Sequence, residues 1–222
     1  AIVSESLAIA EELASRHPEA GLWPTDPRAR ATARTPATEM HPGFLALRND
    51  CPMNLRQRFV DTQPSDAVLA DLARLETIWG HARTACESDG PWLFGAYTAA
   101  DAFFAPVAAR IAGYSLPVSA PAQTYVNAHL NDDAFRRWRA MGLVHGATLT
   151  RYAKPFETRP WPGPAPLEAK AVEGPDAENA TCPYSGRPVT HALELQGRRF
   201  GFCNAFCRDK TVADPAAWPA FM

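Results

Sequence analysis

Residues 98–111, TAADAFFAPVAARI, carry the pattern from which the fold class is read. Thr98 can accept a hydrogen bond from the amide three residues on, and Asp101 can reach back to the Thr98 amide, which marks a helix start. The helix then carries Phe103, Phe104, Val107 and Ile111, and it is expected to be buried on most faces. Upstream, residues 66–87 place Val68, Leu72, Leu75, Trp79 and Ala82 at steps of three and four, with Ser65 after Pro64 as the cap. Two such helices, one of them enclosed, predict a mainly α domain.

Outward from this pair the helical pattern continues. LAIAEELASRH, residues 7–17, is rich in helix formers, with Ser4 or Ser6 as its cap and Pro18 as its stop. Asp26-Pro27 puts a capping carboxylate before a proline at the first helical position, and Pro36 and Pro42 are each expected to kink or break the helix that follows. Shorter helices fit residues 121–130, 133–141 and 143–152, and no strand is expected before residue 155 apart from the first few residues. Residues 155–180 hold six prolines and read as a stiff linker. Beyond it, residues 192–195 and 198–202 read as two strands joined at Gln196-Gly197, with a helix from about Asn204.

Composition sets the outer limits. Hydrophobic types make up 46% of the 222 residues and charged types 21%, a globular balance. The formal charge of -2 argues against nucleic acid and anionic membrane as partners, since both need a clustered basic surface. No window reaches the ~20 apolar residues of a membrane span and no signal peptide is visible, so a cytoplasmic location is expected. The opening Ala1-Ile2-Val3 has no initiator methionine and reads as the middle of a domain whose upstream segment is missing.

Five cysteines are too few and too unevenly placed to staple the chain. Cys182, Cys203 and Cys207 crowd the tail, where a hairpin brings the first two together and one helical turn separates the last two. Three convergent thiolates suit zinc or a softer ion such as Cu(I), and a module of this size has little core without a metal. His191 is the preferred fourth ligand, although an exposed strand histidine explains it equally. Ser185 sits where a zinc knuckle often carries cysteine, and three buried thiols remain the bland alternative. The segment CPYSGRPVTHALELQGRRFGFCNAFCRDKTVADPAAW resembles the YHS/TRASH-type metal-binding modules in its Cys-Pro with nearby Gly, its Gly-turn-aromatic strand, its Phe-Cys-x-x-x-Cys and its Asp214-Pro215. That resemblance implies a small ββα metal-binding tail over residues 181–222, with a role in metal sensing, metal handling or protein contact.

SESLAIAEELASRHP, GLWPTDPRARA, EMHPGFLALRNDCPMNL and LFGAYTAADAFFAPVAARIAGYSLPVSAPAQTYV, in this order, resemble the C-terminal two-thirds of a bacterial glutathione S-transferase. The resemblance implies the end of a thioredoxin-like domain over residues 1–20 and a helical bundle over 21–154. The implied activity, when the thioredoxin-like domain is complete, is conjugation or transfer of glutathione, the co-substrate, to a small electrophile, with a homodimer as the assembly. Glu5 and Ser6 match the family's acidic-residue and serine pair for the γ-glutamyl end of glutathione. Met40, His41, Phe44 and Arg48 fall where the first long helix of the bundle lines the electrophile pocket, although a Met/Phe stripe is more often core. No partner for His41 is visible in the sequence. The family's N-terminal serine motif, which lowers the pKa of the glutathione thiol, has no match, so no catalytic residue is assigned and activity as a transferase stays open. The alternative is a non-catalytic metal-sensing or protein-interaction role on the same scaffold.

Overall fold

Thr98 and Asp101 form the expected capping box in the computed structural model, which describes residues 2–86 and 89–222. The chain divides into two units, Ala1–His129 with Lys154–Pro162, and Leu130–Ala153 with Gly163–Met222. The helical character expected from the periodicity is present: the described residues form eight α-helices, accompanied by two small sheets.

The first unit is built from α1 (Ser6–Arg16), α2 (Pro27–Met40), α3 (Leu45–Asp50), β1 (Gln57–Val60), α4 (Asp66–Cys86), α5 (Ala99–Gly113), most of α6 (Ala120–Asn131) and β2 (Glu157–Pro160). The apolar stripe of α4 is buried as read, at Val68, Leu72, Leu75, Trp79 and Ala82. Residue 87, expected in that helix, lies outside the described residues. Trp79 meets Phe104 of α5 and Tyr125 of α6 edge-on, with ring centroids 5.6 and 4.8 Å apart. Arg34 of α2 ties down α1 through a two-pronged pair with Glu11, at 2.8 and 2.6 Å.

Several local expectations change. Glu5, not Ser4 or Ser6, caps α1: its carboxylate accepts from the Ser6 and Leu7 amides. Pro36 sits inside α2 without ending it, because Ala33, Pro36, Ala37 and Met40 are all buried and their packing outweighs one missing backbone hydrogen bond. Helix does stop before Pro42, so Met40, His41, Phe44 and Arg48 do not share one long helix. Met40 ends α2, His41 is its cap, Phe44 takes a left-handed conformation (φ 59°) ahead of α3, and Arg48 belongs to α3. Residues 2–4 form no strand. A strand does occur at β1, antiparallel to β2, with Phe59 opposite Thr158.

The second unit contains α7 (Asp133–His145), β3 (Ala169–Val172), β4 (His191–Leu195), β5 (Arg198–Phe202) and α8 (Ala205–Ala213). Its sheet runs β3-β4-β5, all antiparallel. The β4–β5 turn uses Gln196 and Gly197 with φ of 52° and 76°, the paired positive values that match the twist of a tight hairpin. At Gly201 a Cβ would come within 2.5 Å of both Val189 methyl groups, so β5 needs glycine there for a close approach. The core gathers Cys182, Leu193, Leu195 and Phe202, with a second cluster at Ala140, Ala217 and Trp218.

The stretch expected as a linker over 155–180 thus supplies a strand to each unit, and α7, expected in the helical domain, groups with the tail. Arg136 of α7 grips Asp214 with two hydrogen bonds of 2.9 and 2.7 Å, and Arg137 reaches the Ala217 carbonyl at 3.1 Å. The Asp214 side chain is only 4% exposed, so Arg136→Ala should strand a buried carboxylate and destabilise the second unit by about 2–4 kcal/mol. Hydrogen exchange at the α8 amides should accelerate accordingly, and Arg136→Met with Asp214→Leu should restore most of the protection. Unchanged exchange in Arg136→Ala would show that the pair holds nothing together. Among the described residues no helix is long and apolar enough to cross a membrane.

Candidate metal centre

Cys182 begins a tight turn in which its carbonyl accepts from the Gly186 amide at 2.9 Å and its amide donates to the Arg187 carbonyl at 2.8 Å. Gly186 has φ 67°, which lets the chain reverse over the sulfur. Cys203 follows the last residue of β5. Cys207 lies in the first turn of α8, where its amide donates to the capping Asn204 side chain at 2.8 Å. Strand end, helix start and turn therefore aim three sulfurs at one point.

The three Sγ atoms lie within 4.8 Å of one another, and those of Cys203 and Cys207 are 3.9 Å apart. Two sulfurs on one tetrahedral zinc, each at ~2.3 Å, stand roughly 3.8 Å apart. All three thiols are free. Burial alone would push the Cys182 thiol up, but amides of Cys203, Tyr184 and Ser185 and the Ser185 hydroxyl donate to it and bring it to about 7. Burial and the neighbouring sulfurs push Cys207 up to about 11. A buried cation lies close by: Lys210 of α8 sets its ammonium over the rings of Tyr184 and Trp218, at 3.9 and 3.8 Å.

His191 is not brought into this group. It pairs across the ladder with Phe202, and its Nδ1 lies 2.8 Å from the Thr190 hydroxyl. Cross-strand partners share a face, and Cys203 is one residue beyond Phe202, so the alternation of side chains separates imidazole and thiol. His191, the fourth ligand expected from the sequence, thus stands outside the three-sulfur group.

Glu5, Ser6 and His41 form a second, exposed cluster in the first unit. His41 Nε2 is 2.8 Å from the Glu5 carboxylate and its Nδ1 is 3.0 Å from the Ser6 hydroxyl. Desolvation pulls the Glu5 carboxyl up, but the Leu7 amide, His41 and Ser6 outweigh it and leave it below its usual value. Glu5 also holds φ 83°, rare for a residue with a side chain. This histidine partnership could not be read from the sequence, since 35 residues separate Ser6 from His41 and no local pattern links them.

The other expected pocket residues do different work. Met40 and Phe44 are buried. Arg48 spends its guanidinium on the carbonyls of Gly43 (2.9 Å), Met40 (2.8 Å) and His41 (2.8 Å), closing the break between α2 and α3. No protein-family model matches the chain, and no curated protein sequence matches it.

Proposed function

We propose that this is a protein of the glutathione-transferase type, conjugating or transferring glutathione to a small electrophile, with one thiophilic metal ion bound in its tail. The observation that carries the first half is the Glu5-Ser6 pair. A carboxylate and a hydroxyl stand side by side and exposed at the start of α1, on a backbone strained to φ 83°. Strain of this kind persists where the surroundings hold it, and such positions cluster at binding sites. The Glu5 carboxylate can pair with a ligand ammonium, and Ser6 can donate to its carboxylate. Activation of the thiol falls to neither residue, so the role of Glu5 and Ser6 is binding.

Titrating reduced glutathione into the full chain should give weak binding, on the order of millimolar, by calorimetry. Glu5→Ala should weaken it roughly 3–10-fold. His41→Ala frees part of the carboxylate and should not weaken it. A tight complex that survives both Glu5→Ala and Ser6→Ala would make the assignment wrong.

A second reading, metal sensing or handling without transferase chemistry, is favoured by the convergence of Cys182, Cys203 and Cys207. Zinc fits the donor set and the sulfur spacing, and Cu(I) fits three thiolates. The two readings separate on one assay, since only the first expects conjugation of glutathione to an activated aryl halide.

A further inference from the structure

Three sulfurs leave one corner of a tetrahedron open. Among the described residues no histidine, cysteine or carboxylate joins the three thiols. The Ser185 hydroxyl is 3.2 Å from the Cys203 sulfur. An oxygen and a sulfur bound to one tetrahedral zinc stand roughly 3.5 Å apart, so the hydroxyl is within a few tenths of an ångström of a ligand position. The other polar group on Cys203 is the Asn204 side-chain nitrogen at 3.3 Å, an amide donor with no lone pair to offer.

Resting on the metal reading above, we infer that Ser185 is the fourth ligand, through its hydroxyl oxygen, in an S3O centre for a divalent ion. Cys182 and Ser185 stand three residues apart on one turn, the spacing at which paired ligands of a zinc knuckle face the same ion. Charge supports a divalent occupant. Three thiolates and a neutral hydroxyl around a dipositive ion leave one negative charge, and the buried Lys210 ammonium supplies one positive charge beside it. A monovalent ion would leave the same surroundings one charge short. The hydroxyl is a harder and weaker ligand than a fourth thiolate, so this corner is the one at which the ion exchanges.

Cobalt(II) added to the full, metal-free chain without a His-tag reports both halves of this assignment. The wild type should bind one equivalent with sulfur-to-cobalt charge-transfer absorption and the visible bands of a tetrahedral site. Ser185→Ala should keep the charge-transfer absorption of three sulfurs, change the visible bands, and lose roughly 10-fold or more in affinity. Ser185→Cys should raise the charge-transfer intensity by about one third, from three thiolates to four, and tighten zinc binding. Identical visible bands and affinity in the wild type and Ser185→Ala would overturn Ser185 as a ligand while leaving the three-thiolate site standing. Absence of charge-transfer absorption in the wild type would overturn the divalent centre, and if Cu(I) also fails to bind, the metal reading itself.

Discussion

Asp101→Ala should cost the helical unit about 3–5 kcal/mol, enough to unfold much of it under mild denaturant. The side chain is 0% exposed, and each of its oxygens accepts two hydrogen bonds. Oδ2 takes the Thr98 amide at 2.8 Å and the Thr98 hydroxyl at 2.9 Å; Oδ1 takes the Leu93 amide at 3.1 Å and the Tyr125 hydroxyl at 2.9 Å. One carboxylate therefore starts α5, anchors the segment ahead of it and fixes the α6 tyrosine that packs on Trp79. Asp101→Asn separates this from a loss of volume. Its amide nitrogen must face two donors wherever it points, so it should still cost about 2–4 kcal/mol. Urea unfolding followed by circular dichroism gives the comparison. An asparagine variant as stable as the wild type would mean that the four hydrogen bonds add nothing beyond filling space.

The same residues show why part of the fold is legible in the sequence and part is not. Thr98 and Asp101 announce α5 because both partners of the capping box lie within four residues, and α4 is legible because its apolar steps repeat along the whole helix. β1 has one buried residue, Phe59, and β2 is exposed throughout, so neither shows an alternation to read. Pro160 in β2 reads as linker, yet proline is tolerated at a sheet edge. Pro36 reads as a kink or break in α2, and tertiary burial keeps the helix going. In the tail the three thiols are legible from spacing. The fourth corner is not, because choosing between His191 and Ser185 depends on a register difference of one residue and on a turn closed by Gly186.

Cys203→Ser should reduce bound metal from about one equivalent to near zero and weaken any residual binding by more than about 100-fold. Cys203 is the middle of the cluster, with the Ser185 hydroxyl at 3.2 Å, the Asn204 amide at 3.3 Å and the Cys207 sulfur at 3.9 Å. Replacing its sulfur by a hydroxyl leaves two thiolates, one on a turn and one on a helix, with only weak oxygen donors to complete the shell. The unit should nevertheless stay folded. Leu193, Leu195, Phe202 and Trp218 are buried, and Arg136 with Asp214 fastens α7 to the far end of α8, interactions to which the Cys203 sulfur contributes no hydrogen bond or charge. What the metal adds is linkage: at a free concentration 100 times its Kd it stabilises the unit by ~2.7 kcal/mol, and Cys203→Ser should abolish that increment. Hydrogen exchange should therefore show the metal protecting the turn at 182–186 and the first turn of α8 most strongly, while β4 and β5 stay protected in both states. Protein that keeps a full equivalent after Cys203→Ser, or that gains no protection on adding zinc, would remove the three-thiolate centre from consideration.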